Sequence, residues 1–215
     1  MNFMLYLLLL PGAFLAPVIH EFAKARISMA LGDITLKNRG FRTWNPLKFF
    51  EPIGFFLMMY FRVGWGQPVP VSPLYYKDRR KGIILTYTIP ILINILIGLL
   101  VLAVWRLLRY DALVWASTMQ HAGGITWLPS AVVNFDIAIL FFAQCNIGLA
   151  IFNLIPIHPM AGSKLLPLFV SPETAMRMSH YEKPMQIILF IMLIFGVVQG
   201  AVVPVRDFII SLVWL

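Results

Sequence analysis

Four long apolar runs alternate with shorter polar segments along the chain, at residues 3–31, 83–108, 131–157 and 185–203. A helix needs about 20 mostly apolar residues to cross the hydrocarbon layer, so the pattern predicts four membrane spans. Pro11-Gly12 and Pro17 interrupt the first, and Gly32-Asp33 closes it. A fifth apolar run, residues 49–61, is short for a span and contains Pro52 and Gly54. Residues 205–215 read as a short amphipathic end lying on the outer membrane surface. The chain is expected to be one all-α integral membrane domain, a core of four to five helices without internal repeats.

Composition agrees with the pattern. Of the 215 residues, 60% are hydrophobic and only 12% charged, and the mean hydropathy is +0.83, values that belong to integral membrane proteins. The first ten residues lack the basic start and small-residue cleavage site of a secretory signal, so the first run is expected to be retained. The single Cys145 excludes an internal disulfide and a cysteine metal cluster. A net charge of +8 could suggest nucleic acid, but in a membrane chain basic residues gather in cytoplasmic loops; the expected surroundings are a lipid bilayer and other transmembrane proteins, not nucleic acid.

Charge also bears on residues 49–61. Basic segments flank them at 37–48 and 62–81, the latter with the run Lys77-Asp78-Arg79-Arg80-Lys81. A crossing at 49–61 would put these two basic loops on opposite faces, against the positive-inside tendency. A re-entrant segment keeps both in the cytoplasm, and irregular backbone at membrane depth needs protein or a water-filled cavity to cover it. With 49–61 re-entrant, twelve of the seventeen Lys and Arg fall on the inner side and three, Arg106, Arg109 and Arg206, on the outer. The expected location is a bacterial cytoplasmic membrane.

The densest chemistry is His20-Glu21-Phe22-Ala23-Lys24, three ionisable residues near the end of the first run. Residues four apart share a helix face, so His20 and Lys24 point one way with Glu21 beside them. His-Glu-x-x-His at this spacing is a zinc-protease helix, in which two imidazoles hold the metal and the Glu acts as base. Here Lys24 stands where the second His would be.

From this point the chain resembles the site-2 protease family of intramembrane zinc metalloproteases, in its compact bacterial type. The shared features run in order: His20-Glu21 near the end of the first span; Leu31-Gly32-Asp33; Asn45-Pro46-Leu47 continuing through Glu51-Pro52-Ile53-Gly54; Gly64-Trp65-Gly66-Gln67-Pro68-Val69-Pro70-Val71; and Asn153-Leu154-Ile155-Pro156-Ile157-His158-Pro159-Met160-Ala161-Gly162. The family's middle-span Gly-Pro-x-x-Asn is matched only loosely, since Asn94 follows Pro90 one residue late. The resemblance implies a scaffold carried by Asn45, Pro46, Gly54, Pro68, Pro70, Asn153, Pro156 and Gly162. It also implies a zinc held by positions 20, 24 and 161, with Glu21 as base. Two of those three ligands are replaced, by Lys24 and Ala161, and a downstream His and Asp of the family by Lys48 and Glu51. Zinc needs three protein donors and an open position for water; alanine has no lone pair and lysine must first lose its proton.

Three functional readings follow. The first is a pseudoprotease with no cofactor, serving as a binding or structural subunit of a membrane complex, in which Lys24 replaces the metal's charge beside Glu21, with Glu51 as a second possible partner. The second is an active intramembrane metalloprotease with a remodelled zinc site, rerouted through His158, cleaving transmembrane substrates. The third is a charge or proton relay through Glu21, Lys24, Glu51 and cavity water, since ionisable residues inside membranes often mark such paths.

Overall fold

A computed structural model describes residues 3–121 and 128–214 of the chain. The described residues fold into α1 (Phe3–Ala30), α2 (Ile34–Asn38), α3 (Pro52–Phe61), α4 (Arg79–His121), α5 (Leu128–Leu154), α6 (Ala161–Leu165), α7 (Pro172–His180), α8 (Glu182–Ile194) and α9 (Val197–Trp214), with no strand among them. Segments of α1, α4 and α5 are long and apolar enough to cross a membrane, and α8 with α9 makes a fourth candidate if the bent pair is one span. The protein is therefore an all-α membrane protein.

The three long helices pack on one another, and α9 lies against α5 and α4. The largest buried cluster draws Leu9, Ala13 and Ala16 from α1, Met58 from α3, Phe141, Cys145, Leu149 and Phe152 from α5, and Leu189, Leu193, Val198 and Val202 from α8 and α9. Small residues on α1 let the backbones approach, which is how helices gain packing energy where lipid removes the hydrophobic drive between them. Pro11 and Pro17 do not break α1, which runs unbroken through both. Neighbouring helices can satisfy the backbone groups that a proline frees in a membrane helix.

Three expectations about element ends differ from the structure. The segment between the second and third apolar runs, 109–130, which reads as a loop of little charge, is helical as far as His121 and again from Leu128, residues 122–127 lying outside the described set. A single span over 185–203 is instead two helices meeting at 70°, broken at Phe195-Gly196, where Gly196 takes φ +75. Only glycine adopts that left-handed backbone without steric cost. Because of the break, the described part of the expected C-terminal surface helix, residues 205–214, is not a separate element. It is the second half of α9, and Ile209, Ile210 and Val213 pack on Leu102, Ala143 and Ile147 of α4 and α5.

The segment after α2 positions the site. Asn45 caps a 3-10 turn, Pro46–Phe49, by accepting from Leu47 N at 3.0 Å. Glu51 then caps α3 by accepting from Gly54 N. At ten residues α3 is about 15 Å long, half the hydrocarbon thickness. The chain turns at Arg62, which has a left-handed φ of 58, and returns as an extended stretch pressed against α3. A Cβ on Gly54 would sit 2.0 Å from Trp65 O, so only glycine allows the two backbones this close. Gln67 N donates to Phe49 O at 2.9 Å, and Gly66 lies against Pro17 O of α1. The stretch thereby reaches the middle of α1, beside His20 and Glu21.

Candidate functional site

His20, Glu21 and Lys24 are all buried, on the face of α1 covered by the returning stretch and by α4 and α5. Lys24 Nζ lies 2.6 Å from Glu21 Oε1, one helical turn away. The other carboxylate oxygen, Oε2, accepts from Val69 N at 2.9 Å. Both oxygens of Glu21 are thus engaged, one by a cation and one by a backbone donor from 48 residues further on. The Lys24 ammonium also sits 5.8 Å from the centre of the Tyr87 ring on α4, a cation–π contact.

His20 is fixed by an amide network. Asn94 Nδ2 donates to Ala16 O at 3.1 Å and to Asn146 Oδ1 at 3.0 Å, which leaves Asn94 Oδ1 to accept from His20 Nδ1–H at 3.1 Å. Asn146 in turn donates to Phe142 O at 2.9 Å. This pattern sets the imidazole tautomer with its proton on Nδ1 and the lone pair on Nε2. The loose Pro90–Asn94 match therefore matters, because Asn94 ties α1, α4 and α5 together at the site. Sequence reading missed Asn146; its only signal was an amide, two residues after Gln144, in an otherwise apolar run, and such residues in membrane helices take part in interhelical bonding.

A small cavity of about 20 Å³ is bounded by His20, Glu21, Lys24, Trp65, Gly66, Pro68, Leu149, Asn153, Pro159 and Met160. That volume has room for one water molecule. Asn153 donates to its own helix at Leu149 O, 3.0 Å, and Gly162 allows the turn after α5 to close, since a Cβ there would meet Leu154 O at 2.4 Å. Pro156 lies within that turn, and Pro70 in the stretch beyond Val69.

Other candidates stand apart from this cluster. Glu51 serves the start of α3, and among the described residues no ion pair joins it to Lys24. The carboxylate cap fits the positive end of a helix, so local geometry claims Glu51 before the buried lysine can. His158 is directed to the α8 side, with Nδ1 3.6 Å from Glu182 Oε2, while Lys164 Nζ holds Glu182 Oε1 at 2.6 Å. Burial and the nearby Lys164 ammonium keep the His158 imidazole below its ordinary pKa, only partly offset by Glu182. The route to a metal through His158 is therefore not formed; Pro159 and Met160, its two successors, are the residues that border the cavity. Ala161 packs against Ile91 and Ala150 in an apolar cluster.

The residues present do not fit zinc. Among the described residues no three His, Cys, Asp or Glu side chains come together as metal donors. His20 Nε2 offers one lone pair, Glu21 is engaged at both oxygens, and an ammonium occupies the position of the second imidazole.

A Bacillus subtilis (strain 168) protein bearing the name "Putative zinc metalloprotease YwhC" is 29% identical over 167 residues, 76% of this chain and 69% of that protein. The likeness supports a relationship to metalloproteases. No family model matches the chain, and no solved structure matches it.

Proposed function

We propose that this chain is a site-2-protease-like membrane protein without metal chemistry, a pseudoprotease that acts as a binding or structural subunit in a bacterial membrane. The observation that carries the reading is the Lys24–Glu21 pair at 2.6 Å. A metalloprotease needs Glu21 free to take a proton from metal-bound water; here its oxygens are held by Lys24 and by Val69 N. The lysine supplies the positive charge that keeps a buried carboxylate from standing alone. Residues 49–61 would be re-entrant, with the basic segments 37–48 and 77–81 on the cytoplasmic face.

The competing reading, an active zinc protease, is favoured by the name of the Bacillus relative and by the free Nε2 of His20. Zinc content of the purified chain, measured by plasma mass spectrometry after dialysis against zinc, separates the two. The wild type is expected to hold far less than one zinc per chain, and Lys24→His combined with Ala161→Asp to raise that content. One tightly held zinc in the wild type would overturn the proposal.

A further inference from the structure

A second and larger cavity, of about 770 Å³, opens between α1, α3, α5 and α9, away from the His20 site. Its wall is mostly apolar, including Leu9, Phe55, Leu140 and Phe141, but Gln199, Val203 and Arg206 of α9 also face it. Those three are spaced i, i+4, i+7, one stripe of a helix. Arg206 is only 2% exposed. Its Nε and one terminal nitrogen bond Asp207 Oδ1 at 2.9 and 2.8 Å, but the other terminal nitrogen, Nη1, is buried without a partner. Gln199 Oε1 is also buried without a partner.

The depth of this arginine decides what could satisfy it. A Cβ on Gly148 of α5 would lie 3.6 Å from Arg206 Cδ. Gly148 lies six residues inside the end of the candidate span Val132–Leu154, and the cavity residue Gln144 lies near its middle, so the side chain runs within the length of that span. Arg62 also borders the cavity, with its guanidinium 5.9 Å from the Phe141 ring. Arg62 is exposed, whereas Arg206 is buried and its one carboxylate, Asp207, has a side chain 53% exposed. A buried charge in a membrane is costly unless fully paired and hydrogen-bonded, and Arg206 Nη1 lacks an acceptor.

We propose that this groove receives a transmembrane helix of a different protein, one that carries an Asp or Glu at mid-span to bond Arg206. A second copy of this chain suits the groove poorly, because its span carboxylates are engaged: Glu21 holds Lys24, and Asp136 accepts from Trp105 Nε1 at 2.6 Å. Gln199 adds a second requirement, a hydroxyl or other donor about two turns, roughly 10 Å, from the acidic residue. The apolar walls match the remaining face of such a helix. The partner site deepens the subunit reading above and relies on it only for biological meaning; zinc in the His20 site would remove that reading and leave the groove's preference as measured.

The test uses the full chain in phosphatidylcholine vesicles with labelled, Leu/Ala-based peptides of about 20 residues, carrying Glu, Gln or Lys at the centre. Energy transfer reports binding. The Glu peptide is expected to bind at least about tenfold more tightly than the Gln peptide, the scale of a charge-assisted hydrogen bond, and the Lys peptide not measurably. Arg206→Gln should abolish the Glu-over-Gln preference. Should that variant fail to fold, Leu140→Trp, which fills the partly exposed apolar wall, should weaken the Glu peptide while native Arg206 remains, and Arg62→Gln should reduce the preference in part. Equal binding of the Glu and Gln peptides would overturn the proposal, as would binding unaffected by Leu140→Trp. Displacement of the Glu peptide by phosphatidylglycerol would also overturn it, assigning the cavity to lipid.

Discussion

Replacing Lys24 by Met keeps the length and apolar stem of the side chain and deletes the ammonium 2.6 Å from Glu21 Oε1. What remains for Glu21 is one hydrogen bond, from Val69 N. Removing one partner of a buried ion pair typically costs about 3–5 kcal/mol. An upper bound comes from the alternative open to the variant, in which the stranded carboxyl takes up a proton. For an ordinary glutamate at pH 7 that uptake costs about 3.7 kcal/mol, so Lys24→Met should lose about 3 kcal/mol and no more than about 4. Adding Glu21→Gln removes the stranded charge, and the double variant should be more stable than the Lys24→Met single. Reversible unfolding in mixed micelles, on wild type, both singles and the double, gives the coupling energy directly. Additive losses, or a Lys24→Met loss below about 1 kcal/mol, would refute the view that this pair is a buried, mutually dependent unit.

Three further outcomes are expected. Gly54→Ala should abolish folding or cost several times a typical surface change, because its Cβ would lie 2.0 Å from the Trp65 carbonyl, and expression with thermal unfolding checks it. Asn94→Leu should destabilise by about 1–3 kcal/mol, since His20 Nδ1, Ala16 O and Asn146 Oδ1 each lose a partner, and a calorimetric scan reads the loss. Asp33 is buried, which by itself would raise its pKa, but hydrogen bonds from Thr35, Ser72 N and Ser28 prevail and hold it below the usual carboxylate value. Its stabilisation should be present above about pH 4 and fade as pH falls through the lower folded-state value; Asp33→Asn should flatten that acid limb of the stability profile, and an unchanged limb would contradict the assignment.

The sequence by itself determined the class of fold, because spans longer than about 18 apolar residues have few alternatives in water or lipid. It also determined the meeting of Lys24 with Glu21. Three residues apart on one helix, they are neighbours by helical geometry alone. The cap by Asn45 is similarly local, whereas the close approach at Gly54 needs the chain to turn back and bring Trp65 against it. Long-range packing decided everything else. Val69 and Asn94, 48 and 74 residues from the groups they bind, reach the site only because α3 folds back and α4 lies on α1. Glu51 and His158 carry the right chemistry for the His20 cluster, yet one is taken by the start of its own helix and the other faces Glu182 on the α8 side. Arg206 shows the limit most clearly. Charge counting along the chain puts it outside, on a surface helix, whereas the 70° break at Gly196 turns α9 onto α5 and buries the guanidinium. Hydropathy registers how many residues lipid can cover. Which polar groups face one another inside is set by the angles at which the helices cross, and those come from side-chain packing across the whole bundle.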